Sequence, residues 1–494
     1  MGSVLIANRG EIAARVIHAC RLKNLRSIVV FSDEDRDSLH VKMADEAYNL
    51  GTGSIQDTYL NIPKLIEIIE RSKADAVHPG YGFLSENAKF AREINKIDKI
   101  FIGPPPELID FLGDKTKAKF LAKKVGLPVI PGSDGLIYTF KEAKEVANKI
   151  GYPIIIKAAF GGGGRGMEIV ESEENLKIAL NTCQSIAFNS FGRNEVLIEK
   201  FIRAPRHIEI QFIEDNYGNV IHLGDRECTI QRSYQKLIEE APSFLPRHTI
   251  NELGQKVCSF VHELGYTNAG TVEFLWKDGE IYFNEVNPRI QVEHTVTEMI
   301  TGIDIVEEQL NIALNKPLGF TQEEIAFHGH AIEYRINAED PYNYFLPYSG
   351  RITQLIIPGG PNVRFDSILY PNYVVPNNFD SLIGKLIIWG RNRHKAIQTS
   401  KHALKELAIS GIKTNLDLHK VIIETEEFKQ GHLSTDFLNQ IDISKNLKHF
   451  ERMKLAAIMQ IFKMFNISLQ PTYIFQKKTT LNKWRDFAKI EQLG

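Results

Sequence analysis

The segment FNEVNPRIQVEH, residues 283–294, sorts its residues into two sets. Glu285, Asn287, Arg289, Gln291 and Glu293 are polar, and Val286, Pro288, Ile290 and Val292 between them are apolar. Side chains of an extended strand point alternately to opposite faces. An extended segment would therefore place carboxylates, carboxamides and a guanidinium in one row. Twelve residues upstream stands Glu273, on the other arm of a hairpin turning near Asp278-Gly279. A three-residue loop, Lys277-Asp278-Gly279, puts Glu273 on the face of Glu285, one diagonal step away. A strict two-residue Asp-Gly loop puts the two on opposite faces. Glu273, Glu285 and Asn287 offer hard oxygen donors, which suit magnesium with its remaining waters and substrate phosphates. Like charges on one strand face repel without a cation. The competing reading is a solvated face with unrelated salt bridges, and the regular apolar face and Arg289 weigh against it.

A second set of residues suits a phosphate. The strand-like PIIIK (153–157) ends in Lys157 and is followed by GGGGRGM (161–167). Glycines let backbone amides approach an anion and let a loop move, so the run reads as a mobile phosphate lid. No Gly-Lys-Ser/Thr follows it, which excludes the Walker pattern. The N-terminal VLIANRGEIAARV imitates a dinucleotide-binding start, yet it has only Gly10 where three glycines are wanted. HPGYGFLSEN (78–87) is a further glycine- and aromatic-rich loop after a strand, where sites are often lined. Lys115, His207, Glu209, Gln231, Lys236 and Arg335 are further polar candidates, each weak alone.

The elements that must position these groups alternate. VLIAN (4–8), SIVVF (27–31), ADAVHPG (74–80) and KIFIGPP (99–105) are strand-like runs separated by helical periodicity, the pattern of a parallel α/β sheet. A second unit starts near Asp114, and shorter segments fill about 328–438, with PGGP (358–361) as a turn. Leu455, Ile458, Met459, Phe462 and Phe465 recur at helical spacing and predict a short amphipathic helix, packing on its own domain or docking onto a partner protein.

The bulk numbers fit a globular enzyme of 494 residues, 43% hydrophobic and 24% charged. A formal net charge of -2 argues against a nucleic-acid or membrane-surface binder. No apolar run reaches the ~18 residues of a membrane span, and the N-terminus has no signal-peptide or myristoylation pattern. Cys20, Cys183, Cys228 and Cys258 are scattered without Cys-x-x-Cys and read as reduced thiols of a cytoplasmic protein.

Taken together, MGSVLIANRGEIAARV, HPGYGFLSEN, FIGP, GDK, KAAFGGGGRGM, PRHIEIQ, QKLIEEAP, FNEVNPRIQVEHTVTEMITGIDIV, GHAIEYRINAEDP, PGGP, FDSLIGKLIIWG and GIKTN resemble the biotin carboxylases, in order, from residue 1 to about 440. The resemblance implies a mixed α/β and α+β fold: a Rossmann-like parallel-sheet domain over 1–114, and an ATP-grasp domain over 115–320 with a lid at about 130–200. A C-terminal biotin carboxylase domain over 328–440 and a helical tail over 441–494 would follow. It implies ATP with magnesium or manganese, and bicarbonate phosphorylated to carboxyphosphate, which supplies carbon dioxide to a biotin nitrogen. Lys115 and Lys157 then resemble the phosphate lysines, with Gly161, Gly162, Gly163, Gly164, Arg165, Gly166 and Met167 closing over the phosphates. Glu199 and Lys200 match the adenine hinge, and His207 and Gln231 match positions near ribose and phosphates. Glu273 and Glu285 resemble the metal ligands, with Asn287 beside them. Lys236, Arg289, Gln291 and Val292 resemble the bicarbonate cradle, Glu293 its base, and Arg335 the cation facing the biotin enolate. Tyr81 and Gly82 match a loop near biotin.

The chain departs from the family where QRSYQK places Ser233 and Tyr234 in the positions of an arginine and a histidine, and where Thr295 replaces a proline. No biotinylation hairpin is found, and the near match around Lys454 sits in a charged, helix-like context. The resemblance therefore implies a homodimeric subunit that receives biotin on a separate carrier protein and works with a carboxyltransferase subunit. LNKWRDFAKIEQL (481–493) faintly resembles acyl-CoA carboxylases, which favours acetyl- or propionyl-CoA over pyruvate as final acceptor. The alternatives are another ATP-grasp ligase joining a carboxylate to an amine, and a silent organising subunit.

Overall fold

The computed structural model describes residues 1–159 and 167–441, with scattered positions between 445 and 460. The chain divides into two units, Met1–Leu447 and Lys448–Gly494, and the site lies in the first. The glycine run 161–166, the tail positions Lys454, Ile458, Met459, Phe462 and Phe465, and the segment 481–493 lie outside the described residues.

The N-terminal runs form a five-stranded parallel sheet ordered Glu46–Gly51, Arg26–Ser32, Ser3–Ile6, Ala76–His78, Ile100–Phe101. Val4, Leu5 and Ile6 are inaccessible to solvent, because helices cover both faces and no alternation survives. The strand order reverses between Ser3–Ile6 and Ala76–His78, and the loops leaving these two strands lie side by side. Asn8 Nδ2 donates to Pro79 O at 2.7 Å and to Tyr81 O at 2.8 Å. Gly80 must be glycine there, with φ +63° and an added Cβ only 2.9 Å from Asn8 Nδ2. A ligand crevice is expected at such a switch point.

Residues 137–200 build a small unit. Three antiparallel strands, Met167–Val170, Ile154–Ala158 and Val196–Lys200, carry the helices Phe140–Ile150 and Glu173–Phe191. Thr139 and Glu142 start the first helix as a capping box.

The rest hangs on one eight-stranded antiparallel sheet. Its order is Glu280–Asn287, Asn268–Lys277, Arg206–Glu214, Val220–Arg232, Gln235–Ala241, His330–Asn337, Leu382–Gly390, Val363–Ser367. Gln235–Ala241 pairs directly with His330–Asn337, so one sheet joins the segments on either side of residue 320.

The hairpin resolves the two loop readings in an unexpected way. Its loop has two residues, since Lys277 pairs with Glu280 and Trp276 with Ile281. A register shift then occurs between Glu273 and Phe274, and Glu273 comes to face Glu285 directly. A bulge adds one residue to one strand and flips every side chain beyond it. The strand also stops at Asn287, before Pro288, which cannot donate to a ladder. Residues 288–293 form a bent loop, and Glu293 starts the helix His294–Thr301 rather than ending a strand.

Candidate active site

A cavity of about 920 Å³ opens between the switch-point loops and the large sheet. Tyr81, Gly82, His207, Lys236, Glu273, Glu285, Asn287, Arg289, Gln291, Val292, Glu293 and Arg335 all line it. The row read from residues 285–293 is thus brought together, although by a strand end and a loop instead of one strand face.

Lys236 is the hub. Its Nζ donates to Glu209 Oε2 at 2.7 Å, Glu273 Oε1 at 2.9 Å and Glu293 Oε1 at 2.5 Å. Burial alone would lower the lysine, and these carboxylates hold it well above its usual range. Arg335 Nη2 donates to the other oxygen of Glu293 at 2.9 Å, and Arg335 Nε donates to Glu239. Burial works against the charge on Glu293, yet Lys236, Arg335 and Arg226 hold its carboxyl far below the ordinary carboxylate range. Glu293 is therefore an anion gripped by two cations, one on each oxygen. Lys385 Nζ, fully buried, donates to Val292 O at 2.6 Å and fixes the loop that carries it.

The second carboxylate pair is less evenly served. Glu273 takes Asn287 Nδ2 at 2.9 Å and Gln291 Nε2 at 2.8 Å besides Lys236. His207 Nε2 stands 3.1 Å from its Oε2. Gln231 Nε2 lies 2.8 Å from His207 Nδ1 and donates to Cys228 O, which fixes the amide and leaves the imidazole proton facing Glu273. Glu285 opposite has a single ion pair among the described residues, with Lys115 Nζ at 3.8 Å. Burial, then the neighbouring Glu273, pushes Glu285 upward. That is the donor set of a cation site: two facing carboxylates, one undercompensated, and the Asn287 carboxamide beside them. Two tighter groupings, His207-Glu209-Glu273 and Glu209-Cys228-Glu293, are already served by Lys236.

The phosphate candidates form a neighbouring layer. Asp114 caps the helix Lys115–Lys124, accepting from Thr116 N and Lys117 N, and so fixes Lys115 at the helix start. Lys157 Nζ and Lys119 Nζ each donate to Glu199 at 2.8 Å. Glu199 is held near 2 by these lysines against its burial, and it lines a separate cavity of about 750 Å³. Lys200 Nζ is bound to Gly151 O and Tyr152 O, while Met167 begins the strand that pairs with Lys157.

Several supporting groups escaped the sequence reading. Arg226 is fully buried and donates to Glu209, to Gln211 at 2.7 Å, Thr271 at 3.1 Å, Thr297 at 3.1 Å and Gln291 at 2.8 Å. Glu86 pairs with Arg289 Nε at 2.7 Å. The one available signal was a charged residue inside a strand otherwise buried throughout, as in VIHLGDRECTIQR. Ser233 and Tyr234 form the two-residue turn between the paired Arg232 and Gln235, with φ of 50° and 65°, and Tyr234 lines the cavity.

Three family models match the chain. They are "Biotin carboxylase, N-terminal domain" at residues 1–109, "Carbamoyl-phosphate synthase L chain, ATP binding domain" at 114–321 and "Biotin carboxylase C-terminal domain" at 333–440. A biotin carboxylase of Nostoc sp. is 50% identical over 441 residues, covering 89% of this chain and 99% of that protein. One of the pyruvate carboxylase subunits of Methanothermobacter thermautotrophicus is 48% identical over 438 residues, 88% of this chain and 89% of that one. A biotin carboxylase of Campylobacter jejuni, solved as a beta-gamma-ATP complex, superposes with a TM-score of 0.87 at 46% identity, over 89% of this chain and 99% of that one. The biotin carboxylase domain dimer of Hydrogenobacter thermophilus 2-oxoglutarate carboxylase, solved with MgADP, ADP and bicarbonate, gives 0.86 at 44% identity, over 89% and 97%.

Proposed function

The chain belongs to the biotin carboxylases, and from that premise we propose that it carboxylates biotin presented by a separate carrier protein, as the first half-reaction of an acyl-CoA carboxylase. The observation that carries this reading is the Lys236–Glu293–Arg335 chain of contacts beside the Glu273–Glu285 pair in one cavity. ATP and bicarbonate are the co-substrates.

Bicarbonate is an oxyanion, and Lys236 and Arg289 are the cations at the cavity wall that would receive it, with Gln291 and the backbone at Val292 completing the cradle. An anion that draws Lys236 away from Glu293 leaves that carboxylate with one cation fewer. Its basicity then rises when the substrate whose proton it must take has arrived. A bicarbonate oxygen bonds to the γ-phosphorus, the bond to ADP breaks, and Glu293 accepts the bicarbonate proton. Carboxyphosphate then divides into carbon dioxide and phosphate, the phosphate takes the proton of the ureido N–H as that nitrogen bonds to carbon dioxide, and Arg335 faces the biotin oxygen on which charge develops. Lys115 and Lys157 serve the phosphates, together with the glycines 161–166, while Glu199 and Lys200 serve the adenine. Tyr81 and Gly82 line the biotin side. Magnesium or manganese, held by Glu273, Glu285 and Asn287, would neutralise charge on the transferring phosphoryl group.

The proposed domains are 1–114, 115–320 with its lid at about 130–200, 328–440, and the tail. The expected partners are a second copy of the chain and a carboxyltransferase. The dimer is supported by the Hydrogenobacter relative, which was solved as a domain dimer. No helix among the described residues is long and apolar enough to cross a membrane, and a cytoplasmic location suits the four free cysteines. Pyruvate as final acceptor is the second reading, favoured by the 48% identity to the Methanothermobacter pyruvate carboxylase protein. The test is ADP release by the purified chain with ATP, magnesium and bicarbonate, with and without free biotin. Bicarbonate-dependent turnover that rises with biotin supports the proposal, and turnover indifferent to biotin points to another ATP-grasp ligase.

A further inference from the structure

Beneath Arg335 lies a carboxyl pair that none of the roles above uses. Glu239 and Glu333 are cross-strand partners on the adjoining strands Gln235–Ala241 and His330–Asn337, and both are inaccessible to solvent. Side chains directly opposite on one sheet face sit close enough to interact. Glu239 Oε1 accepts from Arg335 Nε, and Glu333 Oε2 accepts from the hydroxyl of Thr295. Glu239 Oε2 and Glu333 Oε1 are buried without a hydrogen-bond partner. Each acid thus has one oxygen satisfied and one orphaned, which is costly for two anions and natural for a pair holding a proton.

The surrounding charges do not supply two anions with cations. On the same strand as Glu333 is Arg335, already divided between Glu239 and Glu293. Across the sheet is Lys385, which is 3.4 Å from Glu11 and bonded to Val292 O. The covering loop and helix bring Glu293, Thr295 and His294, the last held neutral by its burial. Cys228 and Tyr81 add no cation, and Asp366 on the outer strand is taken up by Arg364. Four acids, Glu11, Glu239, Glu293 and Glu333, therefore share Arg335 and Lys385 here, while Lys236 bonds Glu293 and its charge also reaches Glu239, and Arg226 acts on Glu293.

We propose that Glu239 and Glu333 share one proton, that the Thr295 hydroxyl orients the Glu333 carboxyl by donating to its other oxygen, and that this pair is a positioning device which leaves Arg335 available to Glu293. This rests on the reaction assigned above. With one proton the pair carries a single negative charge, and Arg335 bridges Glu239 and Glu293. Loss of that proton adds a second buried anion below Arg335 and draws the guanidinium away from Glu293. Burial raises both carboxyls, so the proton is retained at neutral pH. By the resemblance drawn from the sequence, Thr295 takes a position where proline is usual. The position is in the first turn of the helix His294–Thr301, where proline is tolerated because its missing N–H has no partner to lose. A threonine there brings a hydroxyl that proline cannot supply.

The test has two arms. Infrared difference spectra of the full chain, with and without Glu333→Gln, should show the carbonyl stretch of a protonated carboxyl at neutral pH that the variant loses. Thr295→Val, which keeps shape and deletes the hydroxyl, should shift that band. In steady-state assays the alkaline fall of kcat should move to higher pH by about one unit or more in both variants, with KM for ATP unchanged. A role confined to packing would lower the melting temperature without moving the pH limb. No protonated-carboxyl band in the wild type, or an alkaline limb identical in all three proteins, overturns the proposal. Absence of any biotin-dependent turnover in the wild type would overturn the assigned reaction instead, and the infrared arm would still decide the proton.

Discussion

Glu273 faces Glu285 squarely across a hairpin whose two-residue loop, taken alone, would set them on opposite faces. One bulge reconciles the two facts, and it places repelling carboxylates side by side next to Lys115. Such a pair has the donors that would suit a divalent cation. Glu285→Gln should abolish the stabilisation of the protein by magnesium and ATP and lower ADP release at least ~10²-fold. Without ligands its melting temperature should match or exceed that of the wild type, because a repulsion is gone. Thermal melts with and without magnesium and ATP check this, and an undiminished response to magnesium would remove Glu285 from the metal site.

Glu293→Ala should lower turnover by roughly 10²–10⁴, the usual worth of a general base. ATP binding should survive, since Lys236 keeps Glu209 and Glu273 as partners and Arg335 keeps Glu239. Single-turnover kinetics alongside nucleotide titration separate the two effects. A near-normal rate would reassign the base.

Much of this was legible in the sequence, for identifiable reasons. The parallel sheet showed itself because strands buried on both faces read as unbroken apolar runs, as in SIVVF. The polar row 285–293 was visible as a period of two, yet its last members reach the cavity from a loop because Pro288 ends the ladder. The bulge beside Glu273 could not be seen, since nothing in FNEV distinguishes a bulged residue from a paired one. Arg226, Glu239 and Glu333 were hidden for another reason. A charged residue in a strand ordinarily faces solvent, and only the packing of the helix His294–Thr301 over the sheet shows that these are enclosed.

Arg226 should be the least replaceable of them. It is buried completely and serves five side chains, including Glu209 and the cavity-lining Gln291. Arg226→Met removes the charge and leaves Glu209 dependent on Lys236 alone. Breaking one partner out of a buried ionic network costs on the order of 3–5 kcal/mol. Denaturant midpoints at fixed slope measure that loss, and a change below about 1 kcal/mol would show that the network contributes little.

Stability should fall on mild acidification. His40, His78, His222 and His419 are each drawn down to about 4, chiefly by burial, and are neutral in the fold. Unfolded, each takes a proton at about 6.5. At these four sites the unfolded chain binds more protons than the native one, so stability declines as pH drops from about 6.5 to about 4, by about 1.4 kcal/mol per unit for each site, offset in part by the protons that the raised carboxyls of Glu214, Glu239 and Glu333 hold in the fold. Glu199 and Glu240, held near 2, add their own loss below about 4.5. Chemical denaturation at stepped pH reads this directly, and a flat profile across that window would mean that the histidines are solvated before unfolding.

The turn at Ser233 and Tyr234 offers the last test. Ser233 and Tyr234 both adopt positive φ between the paired residues Gln231 and Lys236. Two-residue hairpin turns of this form favour asparagine and glycine, and other residues are held there at a cost of order 1–3 kcal/mol each. Tyr234 is 62% exposed and lines the cavity, so burial does not offset that cost. Replacing the pair by Asn-Gly should therefore raise stability by about 1 kcal/mol or more. If the tyrosine ring contributes to substrate binding, the same variant raises KM for ATP or biotin while leaving Lys236 in register and kcat nearly intact. A stabilised variant with wild-type kinetics would show the pair to be neutral, and a destabilised one would show that the turn is held by contacts of the side chains themselves.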